Sequence, residues 1–542
     1  MLVLDGSTVD GLAGQDSITL VDNGTDGAVV QVTNIETVNG TAGNDTVTFV
    51  GAPTQVELFS NGGTDNAILV DGQTLVLHSN ANVTVAGDVA NTVDTLVLAN
   101  DGVPHNVRLQ GIDLVTGSNG NDTITFLSNG NQPVAGATVN GGAGNDTVNG
   151  ANGGQLITLT SVAQFNGGTG NDTINSDSSN GTINGGAGAA DRVIGTAADD
   201  SLTVATVESV VSGGGSDTIT LADNTAISID GGADSDTVQG SVAGDNITVI
   251  NNSVESIVGN GGNDTVNGTG ANDTLTVATV EQVNTGDGNN QVNLTDATVV
   301  SVTGGTGQDT VSASVANDTI SFSQVESVNS GAGNDTLNES AFFNGTIAID
   351  SGDGDDDLVL TSDANLTLGA GNDGVTNNGF GGLTFMTVNG GAGTDVVQGN
   401  QAMTANVTEV ESVVGSGAAD TISVLDATAV TAATGATAVT GATAATAATA
   451  KMVSTARTAR TAATVAMAVT VVTVRMARTA AMDAMVATAA TAKMARMVAM
   501  AETDVMAETV ATDVTAAMAS TVRTARTQTC LPSQGSPSWL RS

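Results

Sequence analysis

The residues of this chain best suited to chemistry are aspartates that close short glycine-rich segments. The segment Gly141–Asn149, with the sequence GGAGNDTVN, recurs as GGTGNDTIN over Gly167–Asn175 and as GGTGQDTVS over Gly304–Ser312. Each copy offers one carboxylate and several backbone carbonyl groups that glycine leaves accessible, and oxygen ligands of this kind suit a hard cation. Carboxylates are too numerous for any pair to be assigned as acid and base, so we predict cation binding and no enzymatic activity for this region.

Looser copies of the segment extend over residues 1–427. Their core aspartates are Asp16, Asp45, Asp122, Asp217, Asp264, Asp335, Asp356, Asp373 and Asp395, with more degenerate copies around Asp65, Asp236, Asn290 and Asp420. From Asp122 onward, successive copies lie roughly 17–28 residues apart. So many copies in one register indicate a repeat protein.

A second pattern precedes several of the glycine-rich segments. A glutamate stands nine residues before the core position of the next copy, in frames such as Val207-Glu208-Ser209-Val210. These glutamates are Glu36, Glu208, Glu255, Glu281, Glu326 and Glu411. Alternation places each glutamate on the face opposite its valine neighbours, so we expect the carboxylates to face solvent. A second set of ligands along that edge is the alternative.

Short β-strands are the elements that would position these residues. Polar residues alternate with β-branched ones on both sides of the glycines, and glycine pairs supply the positive φ angles that turns need. Such strands could form an antiparallel sandwich or barrel, or a parallel solenoid in which each coil stacks on the previous one. Because the same residue types recur at the same turn, we predict an all-β parallel β-solenoid, of β-roll or β-helix type, with valine over valine and aspartate over aspartate.

The charge of residues 1–427 supports a cationic partner. This region contains 51 of the 56 acidic residues and two basic ones, Arg108 and Arg192, a net charge of −49. A column of stacked aspartates repels itself unless a cation neutralises it. The same charge disfavours nucleic acid as a partner.

Several other classes of protein are disfavoured. No run of eighteen apolar residues occurs, so we predict no membrane span. The single cysteine, Cys530, excludes an intrachain disulfide framework and a cysteine-based zinc site. His78 and His105 are isolated and are predicted to be ordinary loop or strand residues. The segment Gly369–Gly374 fits G-x-G-x-x-G, but no helix pattern follows, which argues against a dinucleotide site.

The pattern G-G-x-G-x-D-x-U-x, where U is a large aliphatic residue, resembles the hemolysin-type (RTX) calcium-binding nonapeptide. In that family, the carbonyl groups of the glycine turn and the aspartate carboxylate bind Ca²⁺ between successive turns of a parallel β-roll. The resemblance implies ligands at the full matches, which are Gly141, Gly142, Gly144, Asp146, Gly167, Gly168, Gly170, Asp172, Gly304, Gly305, Gly307, Asp309, Gly390, Gly391, Gly393 and Asp395. Partial matches add further aspartates to the implied ligands. One glycine of the pair is displaced before Asp217, Asp264, Asp335 and Asp356, and the second glycine is missing before Asp45 and Asp122.

The chain departs from the family in its spacing. Arrays of the family run nonapeptide directly after nonapeptide, whereas each motif here is single and is followed by unrelated residues. We therefore expect one edge of the solenoid to carry the turns, with consecutive copies stacked there and unequal coils disturbing the stack. In the alternative interpretation each aspartate is a local cap whose carboxylate accepts nearby backbone N–H groups, and no metal is needed.

Residues 428–542 are a different kind of sequence. From Thr428 to Thr527 every third residue is Thr or Met, and the residue after each within the tract is Ala, Val, Gly or Asp, whose codons all begin with G. Read one base upstream, Thr and Met codons would become Asp codons and the next codon would encode Gly. We hypothesise that residues 428–527 are a frame-shifted (Asp-Gly-x)n tract; the alternative is a genuine low-complexity segment, mostly disordered with scattered helical turns. Residues 528–542 are predicted to be an unstructured terminus. The gene sequence tests the hypothesis directly.

These observations predict an extracellular, secreted or cell-surface protein of bacterial type that binds Ca²⁺ and couples it to folding. Two other functions stay open. One is a surface or adhesion protein, with partners among cell-surface or matrix components, whose solenoid folds without metal. The other is the repeat region of a larger secreted enzyme such as a protease or lipase.

Overall fold

The chain folds as one array of parallel strands. The computed structural model describes residues 1–21, 27–51, 53–70, 72–79, 82–87, 93–128, 135–177, 181–250, 253–296, 299–379, 384–416, 418, 420–425, 433–434 and 438–441. Every element in these residues is a β-strand, and they contain no helix that could span a membrane. The all-β prediction is confirmed.

The strands form two long sheets, and the chain visits them in turn. Each strand pairs in parallel with the next strand of the same sheet, one coil later, which is the topology of a β-solenoid and excludes the antiparallel alternative. The 24 strands of the first sheet, sheet A, are Leu2–Val3, Ser17–Leu20, Thr37–Asn39, Gln55–Ser60, Thr74–Ser79, Thr95–Leu98, Leu114–Thr116, Ala135–Asn140, Leu156–Thr160, Thr173–Ser176, Arg192–Ile194, Ser209–Gly214, Ile227–Ala233, Asn246–Val249, Thr265–Asn267, Gln282–Asn284, Val299–Thr303, Thr319–Ser323, Thr336–Glu339, Asp357–Leu360, Gly374–Asn377, Val396–Gly399, Ser412–Val414 and Ala433–Thr434.

The second sheet, sheet B, also has 24 strands. They are Ser7–Asp10, Val29–Thr33, Thr46–Val50, Thr64–Ile68, Asn82–Ala86, Asn106–Gln110, Thr123–Phe126, Thr147–Asn149, Gln164–Asn166, Gly181–Asn184, Ser201–Ala205, Thr218–Leu221, Thr237–Gln239, Ser256–Val258, Thr274–Ala278, Gln291–Leu294, Thr310–Ser312, Ser327–Asn329, Thr346–Asp350, Asp363–Thr367, Thr384–Asn389, Met403–Thr408, Thr421–Val424 and Ala438–Gly441. Two further short strands, Ala370–Gly371 and Ala392–Gly393, pair with each other within stacked turns.

The core is a thin layer between the two sheets. Inward side chains alternate with outward ones along each strand, and like residues stack across coils, as Ile124 does on Val148. The buried side chains form one continuous cluster of mostly Val, Ile and Leu, with Phe49, Phe165 and Phe322 among the largest. A core this narrow needs few aromatic residues, which accounts for a chain with nine Phe, one Trp and no Tyr.

The solenoid continues slightly beyond the compositional change near residue 427. Its last described strands are Ala433–Thr434, on sheet A, and Ala438–Gly441, on sheet B. The rest of the predicted tail, and with it the frame-shift hypothesis, lies outside the described residues.

Candidate metal centre

Glycine-rich turns lie on both long edges of the solenoid. Edge A is the set of turns that lead into strands of sheet A, and edge B is the set that lead into sheet B. Asp146 precedes the sheet B strand Thr147–Asn149, whereas Asp172, in the next copy of the motif, precedes the sheet A strand Thr173–Ser176. The expectation that a single edge carries the turns is therefore wrong. A spacing of one and a half coils sends successive copies to opposite edges.

On each edge the aspartates are joined in a hydrogen-bonded ladder. The backbone N–H of Asp122 donates to Oδ1 of Asp146 in the next coil at 2.7 Å, and the N–H of Asp172 donates to Oδ1 of Asp191 at 2.7 Å. Linked positions lie 24 residues apart in the first case and as few as 17 elsewhere, as between Asp200 and Asp217. Unequal coils thus keep the ladder in register, because the surplus residues are accommodated in other loops.

The Val-Glu corners end the ladders. Asp191 donates its N–H to Oε2 of Glu208, and Asp309 donates to Oε2 of Glu326, at 2.7 and 2.6 Å. The glutamate occupies the position of a ladder aspartate in a shorter corner, where its longer side chain reaches back to the same N–H. Five of the six glutamates are half-buried and only Glu255 is exposed, so the prediction that they simply face solvent is wrong.

One kind of turn leaves a carboxylate oxygen without a partner. We number the turn from 1 to 6, with the ladder residue at position 6, and define as glycine-type the turns in which Oδ2 of that aspartate is buried and has no hydrogen-bond partner. Twelve described turns are of this type, and their aspartates are Asp16, Asp146, Asp172, Asp191, Asp217, Asp236, Asp264, Asp309, Asp335, Asp356, Asp373 and Asp395.

The backbone of the glycine-type turn explains its sequence. In the eleven described turns of six residues, positions 2 and 4 have positive φ, as at Gly142 (94°) and Gly144 (125°), whereas the turn of Asp191 is one residue longer. Position 1 is crowded, since a Cβ on Gly141 would lie 2.7 Å from Oδ2 of Asp146 and would clash with the carbonyl of Ser161 in the next coil. Glycine therefore relieves steric conflict in stacked turns such as that of Asp146. Position 1 does not demand it everywhere, since Ser212, Ser330, Ser351 and Leu368 occupy that position in four of the twelve turns.

A second kind of turn supplies donors to its own carboxylate, to both oxygens in most members and to Oδ2 alone from Ser314 at Asp318. In these hydroxyl-type turns position 2 is Ser or Thr, and its N–H and hydroxyl donate to the aspartate. Thr41 donates its N–H to Oδ2 of Asp45 at 2.6 Å and its hydroxyl to Oδ1 at 2.9 Å, and Ser118 bonds Asp122 in the same way. Described members of this type end at Asp45, Asp122, Asp200, Asp245, Asp273, Asp318 and Asp420.

A third kind of turn has an amide side chain at position 6. Its hydrogen bonds show which groups lie near the place that Oδ2 occupies in a glycine-type turn. Nδ2 of Asn290 donates to the carbonyl oxygens of Gly286 and Gly288, each at 3.3 Å, and to the hydroxyl of Thr285. Likewise Nε2 of Gln155 donates to the carbonyls of Ala151 and Gly167. Where aspartate stands in place of the amide, the turn lacks this donor and the outer carboxylate oxygen has no hydrogen-bond partner.

Burial without a donor shifts the acidity of the glycine-type aspartates. Loss of solvent, with smaller contributions from neighbouring carboxylates, raises the pKa of Asp146, Asp236, Asp264 and Asp356 to about 6 and that of Asp172 and Asp373 to about 7. In the hydroxyl-type turn of Asp122, burial also acts upward, but hydrogen bonds from His105 and Ser118 outweigh it and the pKa is lowered. Burial raises the pKa of Asp200 and Asp245, which are also hydroxyl-type.

The glycine-type turns therefore fit a hard cation. Each offers an unpartnered carboxylate oxygen beside turn carbonyls, and hard cations prefer such oxygen donors. Within the described chain no three His, Cys, Asp or Glu side chains converge on one point, so most ligands would have to be backbone oxygens. The longest uninterrupted series lies on edge A, where four successive coils carry Asp335, Asp356, Asp373 and Asp395.

The predicted site residues separate into two groups. The full matches at Asp146, Asp172, Asp309 and Asp395 lie in glycine-type turns, as do the looser matches Asp217, Asp264, Asp335 and Asp356. Asp45 and Asp122 lie instead in hydroxyl-type turns, with both carboxylate oxygens bonded.

Sequence reasoning missed several members of the ladders. Asp191 is preceded by GGAGAA, which has one residue more than the motif. Asp200, Asp245, Asp273 and Asp318 follow a frame with Ser or Thr four residues before the aspartate, which the glycine pattern does not include. That frame was the signal that could have found them.

The histidines and the G-x-G-x-x-G segment have structural roles. His78 stacks on Phe59 with ring centroids 4.1 Å apart. His105 is more than an ordinary strand residue, because it is buried in the edge B ladder with Nδ1 3.2 Å from Oδ1 of Asp122. In the segment Gly369–Gly374, the first five residues belong to the glycine-type turn of Asp373 and Gly374 begins a strand rather than a helix, which argues against a dinucleotide site.

Comparison with known proteins identifies the repeats. A family model described as RTX calcium-binding nonapeptide repeat (4 copies) matches residues 33–48, 109–126, 138–154, 164–189, 251–277 and 301–324. The matched segments include turns of the glycine type, such as that of Asp146, and of the hydroxyl type, such as that of Asp45. No curated protein and no solved structure matches the chain.

Proposed function

This chain carries RTX calcium-binding nonapeptide repeats, and on that premise we propose an extracellular protein that binds Ca²⁺ at its glycine-type turns and couples binding to folding. The role is one of binding and assembly, and we assign it no catalytic chemistry. Ca²⁺ is held by Oδ2 of the position 6 aspartate and by carbonyl oxygens of positions 2 and 4. The hydroxyl-type turns, including those of Asp45 and Asp122, bind no metal.

The contrast between amide and aspartate turns carries this proposal. Asn290 fills the space at position 6 with an N–H₂ group that donates to Gly286 and Gly288, whereas Asp146 presents an acceptor there. A buried acceptor among acceptors costs free energy on the order of 1–3 kcal/mol unless something positive is supplied. A cation that takes six to eight oxygens meets this need.

Coupling to folding follows from charge. Residues 1–427 carry a net charge of −49, and folding brings many of these carboxylates into two columns. Ca²⁺ that binds the folded array and not the unfolded chain stabilises the array through mass action. Millimolar extracellular Ca²⁺ then favours the folded solenoid, whereas the Ca²⁺-free chain is destabilised by its own repulsion.

Titration calorimetry of the full chain with CaCl₂ tests the proposal, with far-ultraviolet circular dichroism followed in parallel. We expect binding heat, an increase in β-sheet signal and a higher Tm in Ca²⁺ than in EDTA. Absence of heat together with an unchanged spectrum would exclude it.

A pair of variants separates site binding from general charge screening. Asp356→Asn removes one unpartnered oxygen from the edge A series, and Asp230→Asn removes an equal charge from a strand outside the ladders. We expect the first to lower the number of Ca²⁺ ions bound and the second to leave it unchanged. Equal losses in both would mean that Ca²⁺ acts only as a screening ion.

One observation favours the metal-independent adhesion protein as a second candidate. Six of the seven described hydroxyl-type turns, all but that of Asp318, supply hydrogen bonds to both oxygens of their aspartate, so the coils that contain them need no metal at that edge. An unchanged Tm in EDTA together with retained binding to cell-surface or matrix material would support this candidate.

A further inference from the structure

The outer face of sheet B carries a shallow groove that the calcium chemistry does not use. It lies across the strands Ser327–Asn329, Thr346–Asp350, Asp363–Thr367 and Thr384–Asn389 and has a volume of about 540 Å³. Small, exposed Ala348 forms part of its floor. Its polar lining includes Asn329, Asp350, Asn365, Thr387 and Asn389.

Several polar side chains in this groove have no cross-strand partner. In some other coils outward amides bond to each other, as Asn166 does to Asn149 at 2.8 Å and Asn284 does to Asn267 at 3.0 Å. Within the part of the chain that the structure describes, the side chains of Asp350, Asn365 and Asn389 make no such bond. These groups are exposed and are free to bind a ligand.

An aromatic ring stands at the same face. Phe385 lies two residues before Thr387 on one strand, and 51% of its surface is exposed. Two residues along a strand span roughly 6.6 Å, so the ring borders the groove. An exposed ring beside amides, hydroxyls and a carboxylate presents an apolar surface and both donors and acceptors of hydrogen bonds.

The charge of this face restricts the ligand. Asp350 lines the groove. Asp363 lies beside Phe385, and its Oδ1 accepts a hydrogen bond from the backbone N–H of Phe385 at 2.7 Å. The two basic residues of residues 1–427, Arg108 and Arg192, lie on strands remote in sequence from these coils. An anionic ligand would meet carboxylates without a compensating cation.

We propose that this groove binds a neutral saccharide, with sugar hydroxyls bonded to Asp350, Asn365 and Asn389 and a sugar face packed on Phe385. A neutral polyol uses donors and acceptors together, which the three amides, the threonine and the carboxylate supply. A cationic peptide would use the carboxylates alone and would leave the amides and the ring without a role. The assignment does not depend on calcium binding by the neighbouring turns.

Binding to the full chain in CaCl₂ tests the assignment by titration calorimetry, with cellohexaose, maltohexaose and mannohexaose as neutral probes and with polygalacturonate and hexalysine as charged ones. We expect at least one neutral hexaose to bind, and any binding of a charged probe to the acidic array to be unaffected by Asp350→Asn. Failure of all three neutral probes, or binding of either charged probe lost in Asp350→Asn, would overturn the assignment.

Variants locate the site. Ala348→Ile fills the floor of the groove with a residue that suits a strand, and Phe385→Ala removes the ring. Ala278→Ile is the matched control, because Ala278 ends another strand of sheet B with its side chain on the outer face. We expect the first two to weaken binding about tenfold or more and the control to leave it unchanged. Similar losses in all three would refute the groove as the site, and circular dichroism of each variant verifies that it is folded.

Discussion

At position 6 of the turn, three kinds of side chain occur, and they differ in the hydrogen bonds that they make with the turn. Asparagine or glutamine supplies N–H donors, aspartate beside a position 2 hydroxyl accepts donors that the turn provides, and aspartate without such a hydroxyl in the glycine-type turns has neither. One residue type therefore occurs in two hydrogen-bonding environments, and the presence of a hydroxyl at position 2 decides between them. This distinction concerns a single side chain, so single substitutions test it.

Replacing aspartate by asparagine is expected to have opposite effects in the two aspartate turns. In Asp172→Asn the new N–H₂ can donate to turn carbonyls, as Asn290 does, so stability in EDTA should rise by about 1–2 kcal/mol while Ca²⁺-induced stabilisation decreases. In Asp45→Asn the amide must face one of two backbone N–H groups, of Ala28 and Thr41, and stability should fall. Urea unfolding in EDTA and in CaCl₂ measures the stability of each variant. If the two substitutions changed stability in EDTA in the same direction, the distinction between glycine-type and hydroxyl-type turns would be contradicted.

The raised pKa values predict how the Ca²⁺-free solenoid responds to pH. Asp146 and Asp172 have folded-state pKa values of about 6 and 7, above the ordinary value near 4. A raised pKa means that the folded state binds protons more tightly, so this stabilisation is complete below about pH 4 and is lost as pH rises through 6–7. We expect the Tm in EDTA to be higher at pH 5 than at pH 7.5. A Tm that rises over this interval would show that other groups dominate.

Among the elements, the turns restrict the amino-acid sequence more than the strands do. A strand needs only alternation, but a stacked turn must also fit the carbonyls of the turn in the adjacent coil. In the edge A series, a Cβ on Gly352 or Gly371 would clash with the carbonyl of the glycine stacked against it, Gly331 or Gly354. The glycines are thus selected by contact between coils as well as by backbone conformation.

A matched pair of glycine substitutions tests this view of the turn. Gly141→Ala places a methyl group against Oδ2 of Asp146 and the carbonyl of Ser161, and should cost about 1–3 kcal/mol. Gly270→Ala places the same group in open space at position 3 of a hydroxyl-type turn and should change stability little. Chemical denaturation of the two variants gives the comparison, and equal effects would mean that turns tolerate side chains irrespective of stacking.

The strands and their parallel stacking could be predicted from the sequence because alternation and the recurring motif are local patterns. The distribution over two edges could not be, since it depends on how many residues make one coil, which the loops obscure. Nor could the role of Glu208 or Glu326 be seen, because alternation indicates a face but not a hydrogen bond to the preceding coil. Four hydroxyl-type turns, those of Asp200, Asp245, Asp273 and Asp318, were overlooked because their frame shares little more than the final aspartate with the glycine motif.

At the scale of the whole molecule, the two kinds of turn are unevenly distributed. The coils from Ser330 to Asp395 have four glycine-type turns on edge A and, among their described residues, no hydroxyl-type turn. The coils from Asp264 to Asn290 combine a glycine-type turn with the self-satisfied turns of Asp273 and Asn290. Dependence on Ca²⁺ should therefore vary along the solenoid.

Hydrogen exchange of backbone amides resolves this variation. In EDTA we expect faster exchange in the strands Thr346–Asp350 and Asp363–Thr367 than in Thr274–Ala278 and Gln291–Leu294, because the first pair adjoins turns that lack their cation. Addition of CaCl₂ should slow exchange in the first pair more than in the second. Uniform protection along the array in EDTA would show that the turns do not set local stability.

The distribution of turns over two edges also bears on how such an array can lengthen by duplication. The 26 residues from Asp146 to Asp172 carry the motif from edge B to edge A. Insertion of one such unit would exchange the edges of every downstream motif, whereas insertion of two would restore them. Both edges already host glycine-type and hydroxyl-type turns, so either outcome yields a structure that the fold accommodates. Unequal recombination within the gene can therefore change the number of coils without having to preserve the edge on which each downstream turn lies.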